Sequence, residues 1–220
     1  MGATIGQILG SAVGVAISPV PIIAVILMLF SRAAARNSVL FALGWVGGLI
    51  VAATIVLAIG IDASGTPSNT TGVVKVLIGA LFLALAVKQW TGRPGPGEEP
   101  SLPAWMASID DLAGPKALGL GFVLSAVNPK NLGLTIAATA TIGGAGLTGS
   151  EQAVSVGVFV LISSITIVVP VVGYLVAGPK VAPMLETMKA WLTLNNATVM
   201  TVLFVVLGAK VLGDGISIIA

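Results

Sequence analysis

Ser125-Ala126-Val127-Asn128-Pro129-Lys130-Asn131 lies halfway along an apolar run and cannot be wound as regular helix. Pro129 has no N–H and its ring crowds the preceding turn, so carbonyls upstream lose their helical donors. From 117 to 142 the run holds one charge, Lys130, and it is long enough to cross a hydrocarbon core of ~30 Å. Lys130 comes about thirteen residues into it, roughly 20 Å at helical rise, too deep for its amine to reach a headgroup layer easily. An ammonium near the bilayer centre costs roughly 3 kcal/mol. It must therefore be met by freed carbonyls, cavity water or an anionic ligand. Ser18-Pro19-Val20-Pro21 interrupts the first apolar run in the same way. In a membrane such backbone survives only when it is buried in protein or lines a wet cavity. Both breaks therefore belong at an internal interface of a helix bundle.

The remaining sequence agrees that the bilayer is the solvent. Of 220 residues, 56% are apolar and 8% charged, and the mean hydropathy is +1.10; a soluble domain carries about 25% charged residues. Charge-poor stretches mark six crossings near 5–30, 38–61, 71–91, 117–142, 153–178 and 194–215. The first is not a secretory signal, because it lacks a basic start, is too long and contains two prolines. The predicted fold class is all-α integral membrane, with six transmembrane helices arranged as two inverted three-helix repeats whose first and fourth helices are broken. One membrane domain fills 1–220: residues 1–91 and 116–220 are the three-span repeats, and 92–115 is a cytoplasmic linker with an interfacial helix.

Six crossings put both termini on one side. Arg32, Arg36, Lys88, Arg93, Lys116, Lys180 and Lys189 then share one face, and Lys75 and Lys210 the other. The positive-inside bias places the richer face in the cytoplasm and both termini outside a plasma membrane. Gly92-Arg-Pro-Gly-Pro-Gly-Glu-Glu-Pro100 reads as linker. After it, Leu102, Trp105, Met106, Ile109 and Leu112 fall at helical spacing, as do Val181, Met184, Leu185, Met188 and Leu192 around Pro183. Both stretches read as helices lying on the membrane, with Trp105 and Trp191 at headgroup level. Gly10 with Gly14, and Gly44 with Gly48, permit close helix contact within the chain or in a homodimer.

An odd number of spans per half makes the halves insert in opposite directions, so similarity between them signals an inverted repeat. Gly14-Val-Ala-Ile-Ser-Pro-Val-Pro21 shares three of eight residues with Gly121-Phe-Val-Leu-Ser-Ala-Val-Asn128. Leu81-Phe-Leu-Ala-Leu-Ala-Val-Lys88 shares four of eight with Leu203-Phe-Val-Val-Leu-Gly-Ala-Lys210.

The candidate substrate-binding residues are those of the two breaks. Pro19, Pro21 and Pro129 shape a polar pocket, Lys130 supplies charge, and Ser18, Ser125, Asn128 and Asn131 supply hydrogen bonds to a substrate or to freed backbone. Ser163, Ser164, Thr166 and Pro170, with Thr135 and Thr139, are lesser candidates, since hydroxyls more often bond their own helix. All eight acids fall in connections or at span ends, so carboxylate-based proton or metal coupling has no carrier at mid-membrane. The chain has no Cys and no His, which removes thiol chemistry and the commonest metal cages. No catalytic residues, cofactor or metal are expected. Ten scattered basic residues make no nucleic-acid patch.

Ser18-Pro-Val-Pro21, Arg36-Asn37 leading to Phe41-Ala-Leu-Gly-Trp45, Gly119-Leu-Gly-Phe122, Ser125 to Asn131 and Trp191-Leu-Thr-Leu-Asn-Asn-Ala-Thr-Val-Met200 with Leu207-Gly208 resemble the GAP family. That family includes the Sap or sulfolipid-addressing proteins of mycobacteria and related actinobacteria, within the LysE transporter superfamily. The resemblance implies a multi-pass plasma-membrane protein that helps move glycolipids towards the cell envelope, beside larger lipid exporters. The expected function is export of a glycolipid or another polar or anionic-headgroup substrate by alternating access of the two repeats. Two alternatives stay open: an exporter of a small solute such as an amino acid, and a non-transporting assembly partner of a larger lipid exporter. The expected partners are accordingly membrane lipids, the substrate and such an exporter.

Overall fold

Helix boundaries follow the prolines and caps. The computed structural model describes residues 1–59, 69–95, 98, 103–112 and 114–220. α1 (Gly2–Ala16) stops where Ile17 and Ser18 leave helical geometry, and α2 (Pro19–Leu29) restarts on a proline. At that first position the missing N–H costs nothing and the fixed φ suits a helix. The two helices meet at 53°. α3 (Ala34–Ile59) and α4 (Asn69–Thr91) are uninterrupted.

A 3₁₀ segment, Ala104–Asp111, buries Met106 and Ile109. Beyond it, α5 (Gly114–Phe122) widens into a π-helical turn at Val123–Val127, and α6 (Pro129–Gly143) again starts on proline. α7 (Gly149–Ala177) opens with a capping box: the Thr148 hydroxyl accepts the Glu151 N–H, and the Glu151 carboxylate accepts the Thr148 N–H at 3.0 Å. These bonds hold the Glu151 carboxyl below its usual pKa. α8 (Ala182–Ile219) is one helix of 38 residues. Pro183 lies in its first turn, where proline is tolerated. The amphipathic stretch around 181–192, expected to lie apart on the membrane, is therefore mostly the start of the last helix.

Among the described residues there is no strand. Ala34–Ile59 and a window within Gly149–Ile219 are long and apolar enough to cross a membrane, and the bent pair Gly2–Leu29 makes a third if it is one span. Gly114–Val127 and Val76–Thr91 are shorter apolar helices.

The chain divides into two compact units. The first comprises Met1–Ser64 and Pro103–Lys189. Its core is built on α3, whose Phe41, Trp45 and Leu49 are fully buried. α3 lies so close to α5 that a Cβ at Gly44 would collide with the Leu118 carbonyl, and one at Gly121 with the Phe41 carbonyl. Gly44 and Gly48 therefore serve packing within the chain. Gly10 meets no atom within 4 Å of where its Cβ would stand.

The second unit comprises Gly65–Leu102 and Ala190–Ala220. In it α4 runs antiparallel to the second part of α8. Gly72 faces Gly215, Gly79 sits against Leu212, and Gly208 sits against Leu83 and the Gly79 carbonyl. The Phe82 and Phe204 rings stack at the same seam, with centroids 5.8 Å apart.

Candidate functional site: a lysine clamp between two broken helices

Pro19 and Pro21 cannot donate to the carbonyls of Val15 and Ile17, four residues before them. Ser18 N turns instead to Ala16 O at 3.0 Å, which also frees Gly14 O. The end of α1 thus presents four carbonyls, at Gly14, Val15, Ala16 and Ile17, without their regular α-helical donors. The structure supplies each. Lys130 Nζ donates to Gly14 O and to Ile17 O, both at 2.9 Å. Ser18 Oγ lies 2.7 Å from Val15 O. Ala16 O accepts from Thr166 Oγ1 of α7 at 2.7 Å as well as from Ser18 N.

The third hydrogen of the Lys130 ammonium goes to Ser18 Oγ at 2.7 Å. Ser18 Oγ also lies 3.0 Å from Asn131 Oδ1; with a single hydrogen it donates to Val15 O or to Asn131 at any instant. Lys130 is only 6% exposed. Its charge is balanced by oxygens alone, at the C-terminal end of α1, where the helix dipole is negative.

The second break is repaired from within. Asn128 N bonds Val123 O at 3.1 Å, the π-helical pattern. The next donor in that pattern would be Pro129, and Asn131 Nδ2 replaces it by reaching Leu124 O at 2.9 Å. Asn128 caps α6, its Oδ1 accepting the Lys130 N–H at 3.1 Å. Both asparagines thus spend these groups on backbone that the proline disturbs.

Of the expected site residues, Ser18, Lys130 and Asn131 meet in one cluster, with Asn128 behind it and Pro19, Pro21 and Pro129 shaping the turns. Pro19 and Pro21 are buried and Pro129 is exposed. Ser125 is elsewhere: it faces Gly48 across the α3–α5 seam and donates to Phe122 O at 3.0 Å. Asn131 has no exposed surface, so no water-sized space adjoins it. In this conformation the break is a closed clamp, and an open polar pocket would require Lys130 to leave α1.

Two of the lesser candidates matter more than expected. Thr166 holds Ala16 O, and Ser163 Oγ lies 3.4 Å from Ala12 O, so α7 also grips α1. Thr135 follows the expected pattern and bonds Asn131 O in its own helix at 2.8 Å. Thr139 and Ser164 are buried with no hydrogen-bond partner. The signal for Thr166 was its place in a polar run of α7, but nothing in the sequence says that the run faces α1.

A family described as Sap, sulfolipid-1-addressing protein, matches residues 8–217 of the chain. No curated protein and no solved structure matches it significantly.

Proposed function

Since the chain belongs to the Sap, sulfolipid-1-addressing protein, family, we propose that it is a six-span plasma-membrane translocator of the LysE superfamily that moves or helps export a glycolipid to the cell envelope. In this reading Gly2–Leu29 and Gly114–Gly143 each cross the membrane as a broken span, with α3, α4, α7 and α8 as the others. The two halves form an inverted repeat and rock about the breaks, opening the clamp to each side in turn.

Packing supports the repeat. α1 packs on α7 as α5 packs on α3, and α2 packs on α7 as α6 packs on α3, pairs that a two-fold relation of the halves would match, although the packing of α1 on α6 has no α2–α5 counterpart of similar extent. Phe82 and Phe204, which match each other in the aligned segments, also touch each other.

One observation carries the transport reading: a lysine from one half crosses to the broken helix of the other and bonds the Gly14 and Ile17 carbonyls there. Charge-assisted hydrogen bonds of this kind are individually strong, yet they join single atoms and can be exchanged for an anionic or hydroxyl-rich headgroup. Lys130→Ala should abolish export of surface glycolipid in a complemented deletion strain, with expression and topology unchanged. Wild-type export by that variant overturns the role of the clamp.

A second reading follows from the same geometry. All three N–H groups of Lys130 are occupied, so a permanent clamp that stiffens a non-transporting assembly partner would look alike in this conformation. Purified protein that moves labelled glycolipid across vesicles by itself excludes that reading.

A further inference from the structure

A groove of about 400 Å³ runs between the 3₁₀ segment and α5, within the first compact unit. Its size falls in the range of ~300–1,000 Å³ typical of ligand sites. Lys116, Gly119, Leu120 and Val123 line one wall. Their spacing of three, one and three residues puts them on one face of a helix. Trp105 and Leu112 contribute to the opposite side.

Polarity changes along the groove. Lys116, at its α5 start, is the one cation among the described lining residues; Gly119, Leu120 and Val123 continue it as an apolar channel. In the orientation argued above, Lys116 stands at the cytoplasmic headgroup level and Val123 deeper in the hydrocarbon. Val123 is 48% exposed, so the inner end of the groove is open to the lipid. The floor is open because Gly119 has no side chain: a Cβ placed there meets no atom within 4 Å.

We infer that the groove binds a single anionic lipid, its phosphate or sulfate on Lys116 and one acyl chain along Gly119, Leu120 and Val123. A cation at the interfacial end, an indole beside it and an apolar trough leading inward match the three zones of such a lipid. A soluble anion would leave the trough empty, and an uncharged chain would leave Lys116 unused. The assignment rests on the six-span reading of the proposed function and on the positive-inside orientation. It places a lipid-facing docking site apart from the Lys130 clamp, on the other side of the π-helical turn.

Photolabelling tests it. Full-length protein is reconstituted in phosphatidylcholine nanodiscs with a phosphatidic acid carrying a diazirine on one acyl chain, or with phosphatidylcholine carrying the same chain, and adducts are mapped by peptide. The phosphatidic acid probe should label the segment 105–123 several-fold more than the phosphatidylcholine probe. Asp110 and Asp111 lie close by in sequence and Arg36 stands against Gly114 at the start of α5, so Lys116→Gln is the decisive variant: it should erase the anion preference. Gly119→Phe, whose Cβ meets no atom within 4 Å, places a ring in the trough and should reduce labelling by both probes several-fold, with an unchanged gel-filtration profile.

Equal labelling by the two probes in the wild type overturns the proposal. So does labelling that survives Gly119→Phe, or no labelling at all, the result expected if the chain itself or a second copy fills the groove. The Lys130→Ala variant separates this site from the transport reading. It should be labelled in the groove like the wild type while export fails. Export that persists in Lys130→Ala removes the clamp mechanism and leaves the groove standing, whereas loss of groove labelling with export intact removes the groove alone.

Discussion

Ser18 is the residue on which both breaks converge. Its hydroxyl accepts from Lys130 and can donate to Val15 O or to Asn131 Oδ1, so one small side chain serves a charge and the backbone at once. Ser18→Ala leaves three N–H groups of Lys130 with two acceptors. A lost hydrogen bond to a charged group costs about 2 kcal/mol, so the variant should melt several degrees lower in detergent. Thr166→Val removes only one of two donors to Ala16 O and should cost about 1 kcal/mol. A Ser18→Ala variant as stable as Thr166→Val would mean that Lys130 is held some other way. The chemistry of the cluster was legible in the sequence because prolines remove identifiable donors, and Lys, Ser and Asn are the residues able to replace them. The pairing was not, since Lys130 and Gly14 are 116 residues apart and only the packing of α6 on α1 brings them together. For the same reason the expectation of an open polar pocket met a closed one: composition shows that a buried ammonium needs oxygens, not whose oxygens they are.

At the scale of elements, local signals succeeded where they were self-contained. Among the described residues, helices cover the charge-poor runs, and the breaks fall at the prolines. The stretch 181–192 runs on into the last helix, because Pro183 stands in the first turn of α8, where proline is tolerated, and amphipathic spacing alone does not say where a helix ends. The second unit's seam was missed for another reason. Gly72 and Gly79 are seven residues apart, as are Gly208 and Gly215, but a glycine spacing becomes a contact only once the partner helix and its direction are known. The Thr148 capping box is the element-scale feature most open to test. Thr148→Ala should fray the start of α7 at a cost of about 1 kcal/mol, read as faster amide exchange over the first turn. Its pH dependence follows from Glu151, whose carboxyl is held below its usual pKa by the bonds from Thr148. A depressed carboxyl pKa stabilises the folded form above the unfolded value, about 4.3, and that contribution disappears as the pH falls through the folded value. The protection factor of the first turn, which is exchange relative to the intrinsic rate at each pH, should therefore fall on acidification in the wild type and change much less in Glu151→Gln.

For the whole molecule, the reading depends on which connections share a side of the membrane. The chain contains no cysteine, so single cysteines can be introduced and labelled in intact cells without removing a background thiol. The turn after α2 contains Arg32 and the short link after α7 contains Lys180, whereas the turn between α6 and α7, around Gly146, carries no cation. In the proposed topology the positive-inside bias would put the first two in the cytoplasm and the third outside. A membrane-impermeant maleimide should then label Gly146→Cys in intact cells, and Ala33→Cys and Pro179→Cys only after permeabilisation. Gly146 has a φ of +64°, which strains any side chain there, so Leu147→Cys serves as a second reporter of the same turn. The pattern bears on mechanism as well as topology. If the two turns flanking Gly114–Gly143 and Gly149–Ala177 were labelled from the wrong sides, α5–α6 and α1–α2 would enter the membrane in the same direction. The halves would then be parallel rather than inverted, and Lys130 would join two helices that cannot exchange roles as the sides alternate. Labelling of Gly146→Cys and Leu147→Cys only after permeabilisation would remove the inverted repeat, and with it alternating access about the two breaks.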